Sequence, residues 1–217
     1  MNHVVRMTDV SKSFKGHQVL NGINWQVDPG ECCSIQGTNG SGKSVLFKIM
    51  CGFVRPDAGV VDIHPDYRHP GKPFPQEFGV IIDRPGYLAN RTGRDNLVAL
   101  ARIRDLIEDA DIDRALEQVG LDPDLPQKVG NYSLGMKQRL ALAQAFMEGQ
   151  PVLVLDEPFN GLDDATVEQM ITLLQRFTAE GRTVIFTSHD SDHVARLAQK
   201  RYRLDAGRLS RLETTND

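Results

Sequence analysis

The run GTNGSGKS, from Gly37 to Ser44, matches the pattern GxxxxGK[ST] at every fixed position. Each residue type in it has a chemical use. Gly37, Gly40 and Gly42 let the backbone through Thr38, Asn39 and Ser41 wrap a polyphosphate and aim N–H groups at it. Lys43 can reach the β- and γ-phosphates, and Ser44 can ligate Mg²⁺ through its hydroxyl. The helix that opens here and runs through Val45 adds partial positive charge at its N-terminus. The bland alternative is a tight strand-to-helix turn with an exposed lysine. The strand before the run and the helix after it favour the phosphate reading.

A second group lies downstream. The apolar run VLVL ends on Asp156 and Glu157. The C-terminal edge of a buried strand is where α/β sheets bind ligands. Asp156 then suits the metal, directly or through water, and Glu157 suits orienting or polarising an attacking water. Alone, the two acids could simply open the turn EPFNG. Beside a complete phosphate loop they form the other half of a triphosphate site. At this point a nucleoside triphosphatase and a small-molecule phosphotransferase both fit.

The elements that must position these residues are legible in outline. HVVRMTDV and VLNGINWQV alternate as half-buried strands, and DPG marks a turn. CCSIQ reads as a short buried strand, and KSVLFKIM as a helix stopped near Gly52. Residues 53–77 read as turns around a short strand, GVVDI, and EFGVIID as a further strand. RDNLVALARIRDLI and DIDRALEQVGL are amphipathic helices with acids near their starts. They predict a helical sub-lobe inserted into a sheet domain. LGMKQRLALAQAFMEG is another helix, ending near Gly149. PVLVLDE and RTVIFTSHD, joined by the helix DATVEQMITLLQRFTAEG, predict parallel central strands buried on both faces. The segment from Gly207 reads as a short, polar, frayed tail.

Composition bounds the rest. A chain of 217 residues suits one domain, or one domain with a sub-lobe. A net charge of -4 gives no support for broad nucleic-acid contact, so no nucleic-acid partner is expected. Cys32, Cys33 and Cys51 have no metal-site spacing and read as buried thiols in a reducing compartment. The N-terminus lacks an apolar signal core, and no apolar run approaches the roughly 20 residues of a membrane span. The expectation is a chain that does not cross a membrane itself.

YSLGMKQRLALAQAF, just ahead of VLVLDEPFNGLD, resembles the signature segment of ABC-type ATPases. Ser133, Gly135, Gln138 and Arg139 match the family form, while Tyr132, Leu134 and Met136 depart from it. The resemblance covers nearly the whole chain, with motifs in family order. It implies an α/β fold: a P-loop NTPase (RecA-like) core with an N-terminal antiparallel β subdomain and an inserted helical subdomain. As one ABC ATPase domain, 1–217, the chain divides into a catalytic core lobe (1–85 and 136–205), a helical subdomain (about 86–135) and a polar tail (206–217).

The resemblance also assigns roles. Phe14 lies where the family stacks an aromatic on adenine; a core phenylalanine on an early strand reads equally well. Ser133 and Gly135 would contact the γ-phosphate of ATP held by a second copy, and Ser133 also reads as an ordinary helix cap. Asp163 matches the inter-subunit aspartate, and His189 the switch histidine that holds the catalytic geometry. With Lys43 and Glu157, His189 completes the catalytic set. At Asp83 the family usually has a glutamine, a metal contact and hinge. An aspartate there could bind Mg²⁺ or repel the γ-phosphate, so Asp83 reads as a hinge residue with an open metal role.

With ATP and Mg²⁺ as ligands, the implied activity is ATP hydrolysis by the ATPase subunit of an exporter. The partners would be an integral membrane permease on a separate chain and a second ATPase protomer, identical or related. The chain would be cytoplasmic and peripheral on the inner face of the cell membrane. The alternative is a soluble ABC ATPase acting in nucleic-acid repair or translation. The C-terminal arginines, Arg201, Arg203, Arg208 and Arg211, read by default as a solvated face.

Overall fold

The computed structural model describes residues 3–83 and 86–212. Alternating apolar residues begin the fold as a hairpin. β1 (Val5–Phe14) and β2 (His17–Val27) pair antiparallel, with Phe14 opposite His17. Lys15 and Gly16 between them take φ of 49° and 82°, which a two-residue hairpin turn requires. β3 (Cys32–Gln36) and α1 (Lys43–Met50) follow. β4 (Ala58–Ile63) then returns to β1, giving a three-stranded antiparallel sheet in the order β2-β1-β4.

The rest of the chain builds a second sheet around β3. In chain order come β5 (Phe78–Ile81), α2 (Gly93–Arg104), α3 (Asp109–Gln118), α4 (Leu134–Phe146) and β6 (Val152–Leu155). After them come α5 (Asp164–Ala179), β7 (Thr183–Thr187), α6 (Ser191–Leu197), β8 (Lys200–Asp205) and β9 (Arg208–Leu212). The sheet order is β5-β6-β7-β3-β8-β9, and its pairings are parallel except β8 with β9. The two helices expected of the insertion are present as α2 and α3; they intervene, with α4 after them, between the neighbouring strands β5 and β6.

The six-stranded sheet separates two apolar cores, and the period of two along each strand decides which residue enters which. Leu153, Leu155, Val184 and Phe186 face α2 to α6, joining Leu97, Ile112, Leu140, Ile171 and Val194. Val152, Val154, Ile185, Cys33 and Ile35 face the other way, onto α1 and the three-stranded sheet, joining Leu46, Phe47, Leu20 and Trp25. The central runs of the sequence look continuously apolar because both of their faces are covered.

All three cysteines are buried and unpaired. Burial pushes the Cys32 and Cys51 thiols up to about 12, and raises Cys33 as well. The thiolate is the reacting form. Folded protein at pH 8 is therefore expected to resist maleimide labelling, with all three cysteines labelled once guanidinium unfolds it. Labelling of the folded chain within minutes would contradict this burial.

One expectation is corrected. The segment from Gly207 is not frayed through 212: β9 pairs with β8 from Asp205↔Arg208 to Arg201↔Leu212. Ala206 and Gly207 adopt φ of 46° and 74°, a tight hairpin turn. The Gly207 carbonyl also accepts the Asn21 N–H at 2.8 Å, which ties the turn to β2. Residues 213–217 of that expected tail lie outside the described residues. Among the described residues, no helix is long and apolar enough to cross a membrane.

Candidate active site

The sheet order places β6, β7 and β3 side by side, all pointing the same way. Their carboxyl ends carry Asp156 and Glu157, Thr187 to His189, and the glycine loop. Residues more than 100 apart in sequence meet there because the strands are parallel neighbours.

The loop leaves β3 at Gln36 and enters α1 at Lys43. Gly42 caps that helix with φ 102°, and a Cβ on it would fall 2.8 Å from Val19 Cγ1. Both conformation and space therefore demand glycine. Lys43 is 8% exposed and donates to the carbonyls of Gly37 (2.8 Å) and Thr38 (3.1 Å), so its ammonium is folded across the loop. Ser41 Oγ is buried within the loop without a hydrogen-bond partner. Ser44 Oγ donates to Asp156 Oδ2 at 2.5 Å. A serine hydroxyl and a carboxylate in contact are hard oxygen donors of the kind Mg²⁺ takes when phosphates supply further ligands. The residues present fit that ion.

Glu157 turns the chain at φ 50°, a region that non-glycine residues enter rarely and at some cost. His189 Nε2 lies 2.9 Å from its Oε1. The approach is close but outside hydrogen-bond geometry, so this buried oxygen has no donor. Desolvation pushes the Glu157 carboxyl above its ordinary value, opposed by the charges of His189 and Lys43. A partly desolvated carboxylate with a free lone pair is suited to receive a proton from water.

Lys43, Ser44, Asp156, Glu157 and His189 thus line one open cleft of about 460 Å³, together with Asn39, Gly40, Gly42 and Val45. Gly37 and Thr38 face an adjoining cleft that shares His189. Phe14, Ser133, Gly135 and Asp163 line neither of these two clefts. Phe14 is 44% exposed at the end of β1, with Lys12 Nζ 5.3 Å from its ring centroid. Ser133 caps α4, its hydroxyl accepting the Met136 N–H at 3.1 Å. Gly135 packs so closely on the Gly161 carbonyl that a Cβ would lie 2.8 Å from it. Asp163 caps α5 and is held below its ordinary pKa by the Thr166 N–H and hydroxyl.

Asp83 is also elsewhere. Its carboxylate pairs with Lys48 Nζ at 2.6 Å, one turn of α1 beyond Ser44, and among the described contacts it touches neither Ser44 nor Asp156. Gln138 ties α4 to the acidic turn by donating to the Pro158 carbonyl at 3.0 Å. The sequence reading missed Thr187, whose hydroxyl contacts both Asp156 and the backbone of Glu157. Its only sequence signal is its place at the end of an apolar strand, two residues before His189.

Comparison with known proteins gives a consistent result. A family model described as ABC transporter matches residues 20–160. The bacitracin transport ATP-binding protein BcrA of Enterococcus faecalis is 34% identical over 200 residues, covering 91% of this chain and 65% of that protein. The chain therefore spans about two thirds of that relative's length. An uncharacterized ABC transporter ATP-binding protein of Bacillus subtilis, YybJ, is 32% identical over 210 residues, 97% of this chain and 96% of the relative. A solved ATP-binding subunit of an ABC transporter superposes with a TM-score of 0.85 at 27% identity, covering 96% of this chain and 90% of the other.

Proposed function

The chain belongs to the ABC transporter family, and from that membership we propose that it binds and hydrolyses ATP to drive a separate membrane permease, in the direction of export. The observation that carries the reading is the single cleft in which Lys43, the Ser44–Asp156 pair and the Glu157–His189 pair converge.

The ATP phosphates lie along the loop from Gly37 to Ser44, with backbone N–H groups and the start of α1 facing their charge. Lys43 exchanges the Gly37 and Thr38 carbonyls for phosphate oxygens. Ser44 and Asp156 would hold Mg²⁺, which when bound neutralises charge on the terminal phosphates. Glu157 orients a water against the γ-phosphorus and accepts its proton. A water oxygen–phosphorus bond forms as the bond from phosphorus to the β–γ bridging oxygen breaks, and ADP leaves with that electron pair. His189, 2.9 Å from the Glu157 carboxylate, would hold it during the step once its ring turns into hydrogen-bond alignment.

Ser133, Gly135 and Asp163 lie outside the cleft of their own chain, which suits a role across an interface with a second copy. There the first turn of α4 would meet the γ-phosphate held by the partner. Nucleotide then joins the two protomers, and hydrolysis releases them. The relative named for bacitracin transport supports a transport role, and the form of the signature segment supports the direction of export. Such a subunit would sit at the inner face of the cell membrane through its permease. A role in nucleic-acid repair or translation finds no support in a chain of net charge -4.

The test is direct. Wild-type protein is expected to release phosphate from ATP, and Lys43→Ala to weaken ATP binding about tenfold or more through loss of a charge-assisted contact. Co-purification of the wild-type chain with a multi-span membrane protein checks the transport role. ATP affinity unchanged in Lys43→Ala would remove the phosphate assignment.

A further inference from the structure

Resting on the hydrolytic reading above, we propose that Thr187 is a positioning residue for the reaction: its hydroxyl ties the Asp156 carboxylate to the Glu157 backbone, so that both acids are held on one platform.

Sheet register brings the three residues together. β6 and β7 are parallel, with Leu155 opposite Phe186. One residue further along each strand, Asp156 and Thr187 fall side by side. Leu155 and Phe186 both face the core beneath α4 and α5. By the period of two, Asp156 and Thr187 turn to the opposite face, the side of α1 and Ser44. A polar side chain at this position of β7 can therefore reach the metal-binding acid, and residues one place earlier cannot.

The hydroxyl bonds both acids, once as donor and once as acceptor. Thr187 Oγ1 donates to Asp156 Oδ1 at 2.7 Å and accepts the Glu157 N–H at 2.8 Å. Ser44 takes the other oxygen of the same carboxylate, at 2.5 Å. Asp156 is thus oriented from both sides: by the first turn of α1 through Oδ2 and by β7 through Oδ1. Its own N–H donates to the Ile81 carbonyl at 2.7 Å, so β5 fixes the backbone beneath it. Glu157, by contrast, stands in a disfavoured conformation at φ 50°. The bond from its N–H to Thr187 is a restraint on that strained turn from the neighbouring strand. Thr187 is fully buried, so no water can replace a lost bond without rearrangement. A β-branched residue also restricts χ1, which holds the hydroxyl in one place better than serine would.

Thr187 touches neither phosphate nor water in this scheme; it acts through Asp156 and Glu157. Its loss should therefore reduce turnover more than binding, because the phosphate loop is untouched. Displacing a reacting group by about 1 Å costs on the order of 100-fold in rate.

The experiment compares Thr187→Val, which keeps the shape and removes the hydroxyl, with Thr187→Ser, which keeps the hydroxyl. For Thr187→Val the expected result is a fall in kcat of about 30-fold or more with KM for ATP within about threefold of wild type. For Thr187→Ser, kcat is expected to stay within about threefold of wild type. A second readout needs no turnover: amide hydrogen exchange in nucleotide-free protein, measured by NMR. Exchange at the Glu157 N–H is expected to accelerate in Thr187→Val but not in Thr187→Ser, while the Asp156 N–H stays protected through Ile81. If Thr187→Val does not fold, Thr187→Cys, with its weak thiol donor, takes its place with the same expected split.

Wild-type kcat in Thr187→Val, equal defects in the Ser and Val variants, or unchanged exchange at Glu157 overturns the inference while leaving the proposed function standing. A wild-type protein that hydrolyses no ATP overturns both.

Discussion

Glu157→Gln is expected to bind ATP with near wild-type affinity, hydrolyse it about 100-fold or more slowly, and accumulate as an ATP-dependent dimer. The rate follows from removing a general base, an effect typically of 10²–10⁴-fold. Glutamine matches glutamate in size and makes the same demand on the backbone at φ 50°. The change is therefore one of chemistry, because an amide cannot accept the proton of the attacking water. Binding is expected to survive because Lys43, Ser44 and the loop backbone, which the proposed function assigns to the phosphates, are not altered. On the proposed function the dimer would accumulate because a γ-phosphate shared between protomers would no longer be cleaved. Phosphate release and light scattering after size exclusion, with and without ATP, measure both halves of this result. Wild-type turnover in the variant would take the catalytic role from Glu157.

Gly79→Ala is expected to abolish folding or to destabilise the protein by more than about 4 kcal/mol. Gly79 lies on β5 where α4 crosses it, and an added Cβ would fall 1.7 Å from the Ala145 carbonyl oxygen and 2.9 Å from Leu153 Cδ2. The obstacle is helix backbone, which cannot rotate away as a side chain can. Moving α4 would also disturb Gln138, which ties that helix to the Glu157–Pro158 turn. Gly86→Ala is the control, since a Cβ there meets nothing within 4 Å. Soluble yield and denaturant midpoints compare the two. A cooperative Gly79→Ala protein near the wild-type midpoint would refute the close approach of β5 and α4.

The strand, glycine loop and helix from Cys32 to Met50 could be read from sequence because the pattern that sets them is local. Gly37 to Ser44 must be contiguous to wrap a phosphate chain, so residue type and spacing carry the whole message. The run ending in Asp156 and Glu157 is legible for a related reason: a strand buried on both faces is apolar throughout, and the first acids after it stand at the sheet edge. Thr187 is different. Its role comes from the register of β6 against β7, a relation between residues 31 apart that no local pattern encodes. Asp83 shows the same limit. Its position after an apolar strand fits a metal or hinge role, but its partner, Lys48, is fixed by how α1 packs beside β5. The end of the chain was misread because Arg208, Ser210 and Arg211 look like a solvated tail, whereas the hairpin is set by the positive φ of Ala206, which alanine does not announce.

The partition of the interior by the six-stranded sheet has a consequence for redesign. Leu46 belongs to one compartment and Leu140 to the other, with no common cluster between them. Losses from distant sites without shared partners sum, so either compartment can be repacked by an engineer, or drift in evolution, without compensating changes across the wall. The residues denied that freedom are those at the strand ends, where both sides meet the acids.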